Sequence, residues 1–560
     1  MQTSARVEYG LFDRTAATEG VLAASEQQSF VEIYELHDYD QKIRKWMTLE
    51  GDGCLLDGTF ELLPDDISGQ FMGLWSQALS NADGVFDMPV VLGVTFGNPH
   101  TSAGITLIFS EATQDYCTDL TIEWIGQDGA MLSSKSFTPD SAKFFCENQV
   151  EDYYGLNFIF RSTNRPYHFL KLTSVMYGVL LDISGERLIS CSITEDVDPT
   201  GAELPVNTMT FKFHSADGVF NLLDPAGAYV LFQQRQQITA YENVDGNEML
   251  MGSFYLDEPE SESKNTTSMS CIDLIGVIDD TDYMGGYWPD GITAAELIAD
   301  IMQSAGVDDY TIDGDIAARI VKGYLAICTH REALQQVTFA VGAVADCSRS
   351  KKIEVSKPKA ASDSYVSVGR KIDGHTPKQL SLVTGVEVYV HTYRLSSDTT
   401  EVFNGTLSTG TATVTFSQPT ENLLCSGATI IDSGVNYAIL QVATAGTVTV
   451  SGKSYEDQTM IGGSVYASNL PANAKNNIAK VTECTLVWDA QATAQRLYDY
   501  YQMRYEDTGK ILLSNEKAGG FVTIRNQNNK SIAGNIESME IDLTGGFIAK
   551  VVTRGAAVSV

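Results

Sequence analysis

The sequence predicts a mainly β, multidomain protein with a small α/β part, in which β-barrels carry appended β-sandwich domains. Three observations predict it. Between Leu204 and Asp279, strand-length pieces alternate in polarity and are divided by turn residues. From Ala412 to Val450, Thr- and Val-rich strands recur with Gly or Asn between them. Two helices, each opened by a Thr-x-x-Glu capping box, follow one another near the middle of the chain. With 560 residues one core is too few, and roughly three to five domains are expected.

Residues 1–64 mix short strands with loops, and the turn-rich Gly51–Pro64 segment is expected to be an extended arm. Such an arm ties one subunit to another or pads its own domain, with Trp46 as an anchor in either case. From 65 to 182 the pattern is that of a β-sandwich. Its strands are Pro89–Phe96, Gly104–Phe109, Leu120–Ile125, Tyr154–Phe160 and Phe169–Tyr177, with Asp128-Gly129 closing a hairpin. At the level of fold this pattern resembles carbohydrate-binding jelly-roll modules. Trp124 sits in strand alternation and is expected in the core, whereas Trp75, Tyr116, Tyr153 and Tyr167 are candidate glycan contacts.

A first barrel is expected over 183–285. Met209, Phe211 and Phe213 skip over Thr210, Lys212 and His214, the period of a strand with one buried face. Ala216-Asp217-Gly218 and Asp224-Pro225-Ala226-Gly227 mark turns. Ile238, Ala240 and Tyr241 carry the next strand to Asp245-Gly246, a strong hairpin signal, and Met249, Met251, Phe254 and Leu256 return from it. Ser268–Ile278 closes the set. The α/β part, 286–361, holds helices opened by Thr293/Glu296 and Thr329/Glu332, the first stopped by Gly306. Residues 362–482 read as a β-domain with an inserted β-sandwich at about 400–455, and 483–560 as a helix followed by a last barrel.

Three stretches carry a family resemblance. The strand around Thr208 to Phe213, the segment MGSFYLDEPESES at Met251–Ser263 and CIDLIGVIDDTDYMGG at Cys271–Gly286 resemble the first barrel of tail hub, or baseplate hub, proteins of tailed bacteriophages and related phage-tail-like particles. The resemblance spans 183–560. It implies paired first and last barrels, a homotrimer whose six barrels form a ring, and contacts with tail tube, distal tail and tail-fibre proteins. It also implies genomic DNA as a passenger through the lumen, a virion tail location, and assembly in the host bacterial cytoplasm.

Composition agrees with ordinary folded protein, 43% hydrophobic and 19% charged. A formal net charge of −35 argues against a DNA-gripping surface, which relies on clustered Lys and Arg. An acidic lumen would instead repel the DNA backbone and let it slide; the same charge would also keep an exposed particle soluble. The nine cysteines are scattered, with no CxxC pair, and read as small buried hydrophobes of a reducing compartment. No apolar h-region follows Met1 and no apolar run approaches the ~20 residues of a membrane span, so an unsecreted chain with no membrane segment is expected.

Catalytic motifs are missing. There is no Walker A loop, HExxH, GxSxG or dinucleotide fingerprint. The seven histidines are far apart, with His100 read as a loop residue and His214 as outward-facing. Adjacent acids such as Asp65-Asp66, Asp279-Asp280 and Asp308-Asp309 are expected by chance among 72 acidic residues. No cofactor, metal or catalytic residue is therefore nominated. The expectation is a structural, non-enzymatic protein of a phage tail tip or baseplate, continuing the tail tube as a ring and anchoring peripheral tail proteins. The rival is an adhesin that binds host glycans through the 65–182 sandwich; a wall-degrading enzyme would need two facing carboxylates.

Overall fold

The computed structural model describes residues 2–559, apart from 38–43, 52, 54, 55, 57, 64–70, 216–219, 223–234, 362, 363, 471, 472 and 527–529. Cys54, the Asp65-Asp66 pair and the turns at 216–218 and 224–227 lie outside the described residues. The protein is mainly β and multidomain, with a small α/β part.

A 13-stranded sheet dominates it. Its central strand Thr208–His214 buries Met209, Phe211 and Phe213 and turns Thr208, Thr210, Lys212 and His214 the other way, as the alternation predicts. Neighbouring strands run, in order, Leu188–Asp196, Thr208–His214, Thr266–Ile272, Asn247–Ser263 and Gln237–Val244. Asp245 and Gly246 close the last hairpin with φ of 52° and 90°, the two positive values a type I′ turn requires. The irregular spacing of Met249, Met251, Phe254 and Leu256 has a cause in the pairing. Ala240 faces Gly252 while Tyr241 faces Leu250, so Met251 is an extra, bulged residue that shifts the alternation. The segment beyond Ile272 is not strand: Asp273 accepts from the Gly276 amide and caps a short helix, Leu274–Val277.

One expectation is corrected by this sheet. The N-terminal segment does not begin as an arm. Thr3–Phe12 is a strand between Gln237–Val244 and Gly178–Ser184, burying Ala5, Val7, Tyr9 and Leu11 in the sheet's core. The first and last barrels, expected side by side, are joined in one sheet. Leu188–Asp196 pairs with Lys530–Asp542, setting Ile193 opposite Ile541, and the sheet continues through Ile548–Ser559 and Tyr505–Leu512 to Lys371–Gln379. Ile193, Phe211 and Phe213 share one core with Ile524, Met539, Ile541 and Val551.

The sandwich has seven strands, the longest being Val85–Phe109 and Lys143–Thr163. Pro89–Phe96 and Gly104–Phe109 are thus one strand. The stretch between them, where His100 was expected in a loop, instead lies where register shifts at 95–104 bend the strand around the core. His100 is accordingly buried rather than in a loop. Its Nδ1 lies 2.6 Å from Asp13 Oδ2 and its Nε2 meets Glu19, tying the helix Arg14–Glu19 to this strand. Trp124 is fully buried, as expected, and Trp46 packs with Val31, Met72 and Trp75.

The α/β part forms both predicted capping boxes. Thr293 and Glu296, then Thr329 and Glu332, exchange hydrogen bonds of 3.1–3.2 Å, and Gly306 and Gly342 end the helices in the left-handed region. Leu297, Ile298, Ile301, Leu334 and Val337 meet in its core. A buried ion pair, Arg349 Nε to Glu195 Oε1 at 2.9 Å, fastens this part to the large sheet. The inserted sandwich is not hung on a loop: the 21-residue strand Gly446–Tyr466 pairs with Thr400–Leu407 inside it and with Gly385–Leu395 in the host. Asn436 pins it to the α/β part, donating to Met284 O and Leu325 O and accepting from Tyr324.

Candidate functional site

Two regions hold chemistry worth weighing. The first is in the sandwich, where the candidate glycan contacts were placed. Trp75 is buried and donates its indole N–H to Met72 O; Tyr153 is sealed in the core, where burial pushes its hydroxyl pKa up. Tyr116 is half-buried against that core. Tyr167 alone of the four is exposed, at 55% and with φ of 59°. Trp75 and Tyr153 therefore offer no ring face to a sugar, and the four rings do not make a platform. Strand alternation and turn position do not say which large rings fill the core, so sequence could not separate them.

Beside Tyr167 lies a buried charged cluster that sequence reading missed. Lys171 opens a strand, holds its Nζ over the Trp75 ring 5.0 Å from the centroid and sends it to Glu50 Oε2 at 2.6 Å and Asp115 Oδ2 at 2.7 Å. His168 Nδ1 lies 2.9 Å from Asp115 Oδ1, Arg165 lies 3.3 Å from the same oxygen, and the Phe169 amide donates to Glu50. Glu50, Asp115 and His168 could geometrically hold a metal ion, their ligand atoms lying within 4.8 Å of one another. However, the ammonium of Lys171 already sits between the two carboxylates, and with Arg165 it balances their charge. The cluster reads as an internal brace joining three distant segments. Its members are scattered from 50 to 171, so no spacing signal could have found them.

The second region is the solvent face of the large sheet. Across five strands, Asp542, Ser192, Thr210, Ser270 and Glu258 stand in one cross-strand row. Ser190, Lys212, Ser268 and Glu260 form the next. Glu262 and Glu540 add carboxylates, and the lysines among them are engaged: Lys212 with Glu262 at 2.5 Å and Lys550 with Glu540 at 3.5 Å. The face is thus lined by hydroxyls with an acidic excess, and it has no large apolar side chain in these rows. The sheet does not close in the described residues: Gly178–Ser184, Ser364–Val366 and Lys371–Gln379 are its end strands, each with a single β-partner. Tyr365, Val368 and Ile372, all exposed, lie in or between the last two of these edges.

No family model and no curated protein matches the chain. Solved structures similar to it include the 43 kDa tail protein of prophage MuSo2 from Shewanella oneidensis, at 10% identity over 68% of this chain and 96% of that one, with a TM-score of 0.39. A tail protein from Neisseria meningitidis MC58 is similar at 10% identity over 66% and 93%, TM-score 0.38. Prophage tail protein gp18 from Listeria monocytogenes EGD-e is similar at 9% identity over 67% and 91%, TM-score 0.38. TM-scores of this size do not establish a common fold with any of the three.

Proposed function

We propose that the protein is a structural, non-enzymatic component of a phage tail tip or baseplate, in which copies of the large sheet assemble into a ring that continues the tail tube. The observation that carries this reading is the sheet itself. One continuous sheet of 13 strands joins the two barrel-like halves, and it leaves three end strands able to meet a neighbouring copy. Its polar face suits the lumen wall: hydroxyls and carboxylates hold no phosphate, and the acidic excess keeps a DNA backbone from sticking. The sequence motifs at Thr208–Phe213, Met251–Ser263 and Cys271–Gly286 support the same assignment, with three copies in the ring and the two sandwiches facing peripheral tail proteins.

The adhesin reading asks for an exposed aromatic platform on the 65–182 sandwich, and only Tyr167 among its nominated rings meets that need. Sedimentation velocity on the purified chain tests the proposal. A three-copy species is expected, weakened when Val368→Glu and Ile372→Glu place charge beside the edge strand. A monomer up to high micromolar concentration, or an oligomer indifferent to those substitutions, would count against it.

A further inference from the structure

A cleft of about 450 Å³ opens at the seam between the inserted sandwich and its host. Three elements far apart in sequence build it: Tyr324 comes from the α/β strand Ile320–Leu325, Tyr393 from Gly385–Leu395 and Tyr455 from Gly446–Tyr466. The seam is fixed from behind, because Asn436 bonds Tyr324, Met284 and Leu325. The rings are also fixed by one another: Tyr324 meets Tyr393 edge-on at 5.2 Å, and Tyr287, behind them, meets Tyr393 at 5.8 Å and Tyr455 at 4.8 Å.

We infer that this cleft is a binding site for a neutral saccharide. Its size falls within the range of small-ligand sites. Its apolar wall is aromatic except for Pro419, which suits the C–H face of a pyranose better than an acyl chain. Around the rings stand Ser396, Thr400, Gln418 and Ser454 with Asp398, Glu456 and Asp457, a set able to donate to and accept from sugar hydroxyls. Asp457 is held in place by His391 Nδ1 at 2.8 Å. No lysine, arginine or histidine is among the lining residues, so the carboxylates turn away uronates, sialylated chains and phosphates. The edge-to-face packing also argues against a cation: the rings lean on each other instead of framing a hole for an ammonium group.

Saturation-transfer NMR on the full chain tests this. The probes are methyl glycosides of glucose, galactose, mannose, N-acetylglucosamine and rhamnose, with glucuronate and choline as charged controls. At least one neutral glycoside is expected to receive saturation, strongest on the protons of one ring face, and glucuronate none. Tyr393→Ala and Tyr455→Ala should weaken binding by about tenfold or more. Gln418→Trp, at an exposed position of the wall, should block the cleft in a folded chain and abolish the signal. Silence from all five glycosides, transfer that survives Gln418→Trp, or transfer to choline alone would overturn the inference.

Discussion

Replacing Glu242 by Gln should stabilise the large sheet above neutral pH and leave it nearly unchanged below pH 5. Glu242 occupies the core-facing row of its strand, between Ala240 and Val244 and opposite Ala5 and Met249. It is fully buried, and neither carboxylate oxygen makes a well-formed hydrogen bond. Burial therefore pushes its carboxyl from 4.5 up to about 7, opposed only weakly by the Ser4 backbone. The folded chain thus keeps this proton at pH values where the unfolded chain has released it. Stability from this group is complete below about pH 4.5, falls as pH rises, and is lost above about pH 7. Each pH unit in that window is worth about 1.4 kcal/mol, so the upper bound is about 3 kcal/mol. About 1–3 kcal/mol is the expected gain for Glu242→Gln at pH 8.5. Calorimetry at pH 5 and pH 8.5, following the transition of the large sheet, reads this as an advantage of a few degrees that appears only at the higher pH. A variant advantage that is equal at both pH values, or a variant less stable at pH 8.5, would refute the reasoning.

Other expectations follow from the same structure. Lys171→Met leaves Glu50 and Asp115 facing each other without their shared cation and should cost about 3–5 kcal/mol in chemical denaturation. Because Ile193 and Ile541 pack across the junction of the two halves, Ile193→Ala and Ile541→Ala should each cost about 2–5 kcal/mol. A double-mutant cycle on that pair should show a coupling of about 0.5–3 kcal/mol, whereas two independent barrels would give additive effects. Asn436→Ala removes three hydrogen bonds at the seam, so hydrogen exchange should rise at Tyr324–Leu325 and 434–438 while the core of the insertion stays protected.

Sequence legibility followed the range of the interaction. The Thr293 and Thr329 capping boxes and the Asp245-Gly246 turn were readable because every partner lies within a few residues. The Met209, Phe211, Phe213 alternation was readable for the same reason. Pairing of Ser192 with Asp542 was not, since nothing local in either strand names a partner 350 positions away. Thr3–Phe12 alternates too, but its partners at 178–184 and 237–244 are equally remote, and an unpartnered strand reads as an arm. The stretch between Phe96 and Gly104 misled in another way: residues that break strands also bend them, and only the pairing on either side tells which. The charged cluster around Lys171 and the tyrosine cleft are both assembled from distant segments. Neither has a motif to find.

The central claim, that the large sheet lines a ring around a lumen, is tested most directly by cryo-electron microscopy of the native particle or of the assembled protein. The account predicts a closed ring coaxial with the tube, with the rows Asp542–Ser192–Thr210–Ser270–Glu258 and Ser190–Lys212–Ser268–Glu260 facing the lumen and the two sandwiches outside. Copies dispersed at the periphery, with the 65–182 sandwich turned toward the host and the large sheets apart from one another, would contradict it.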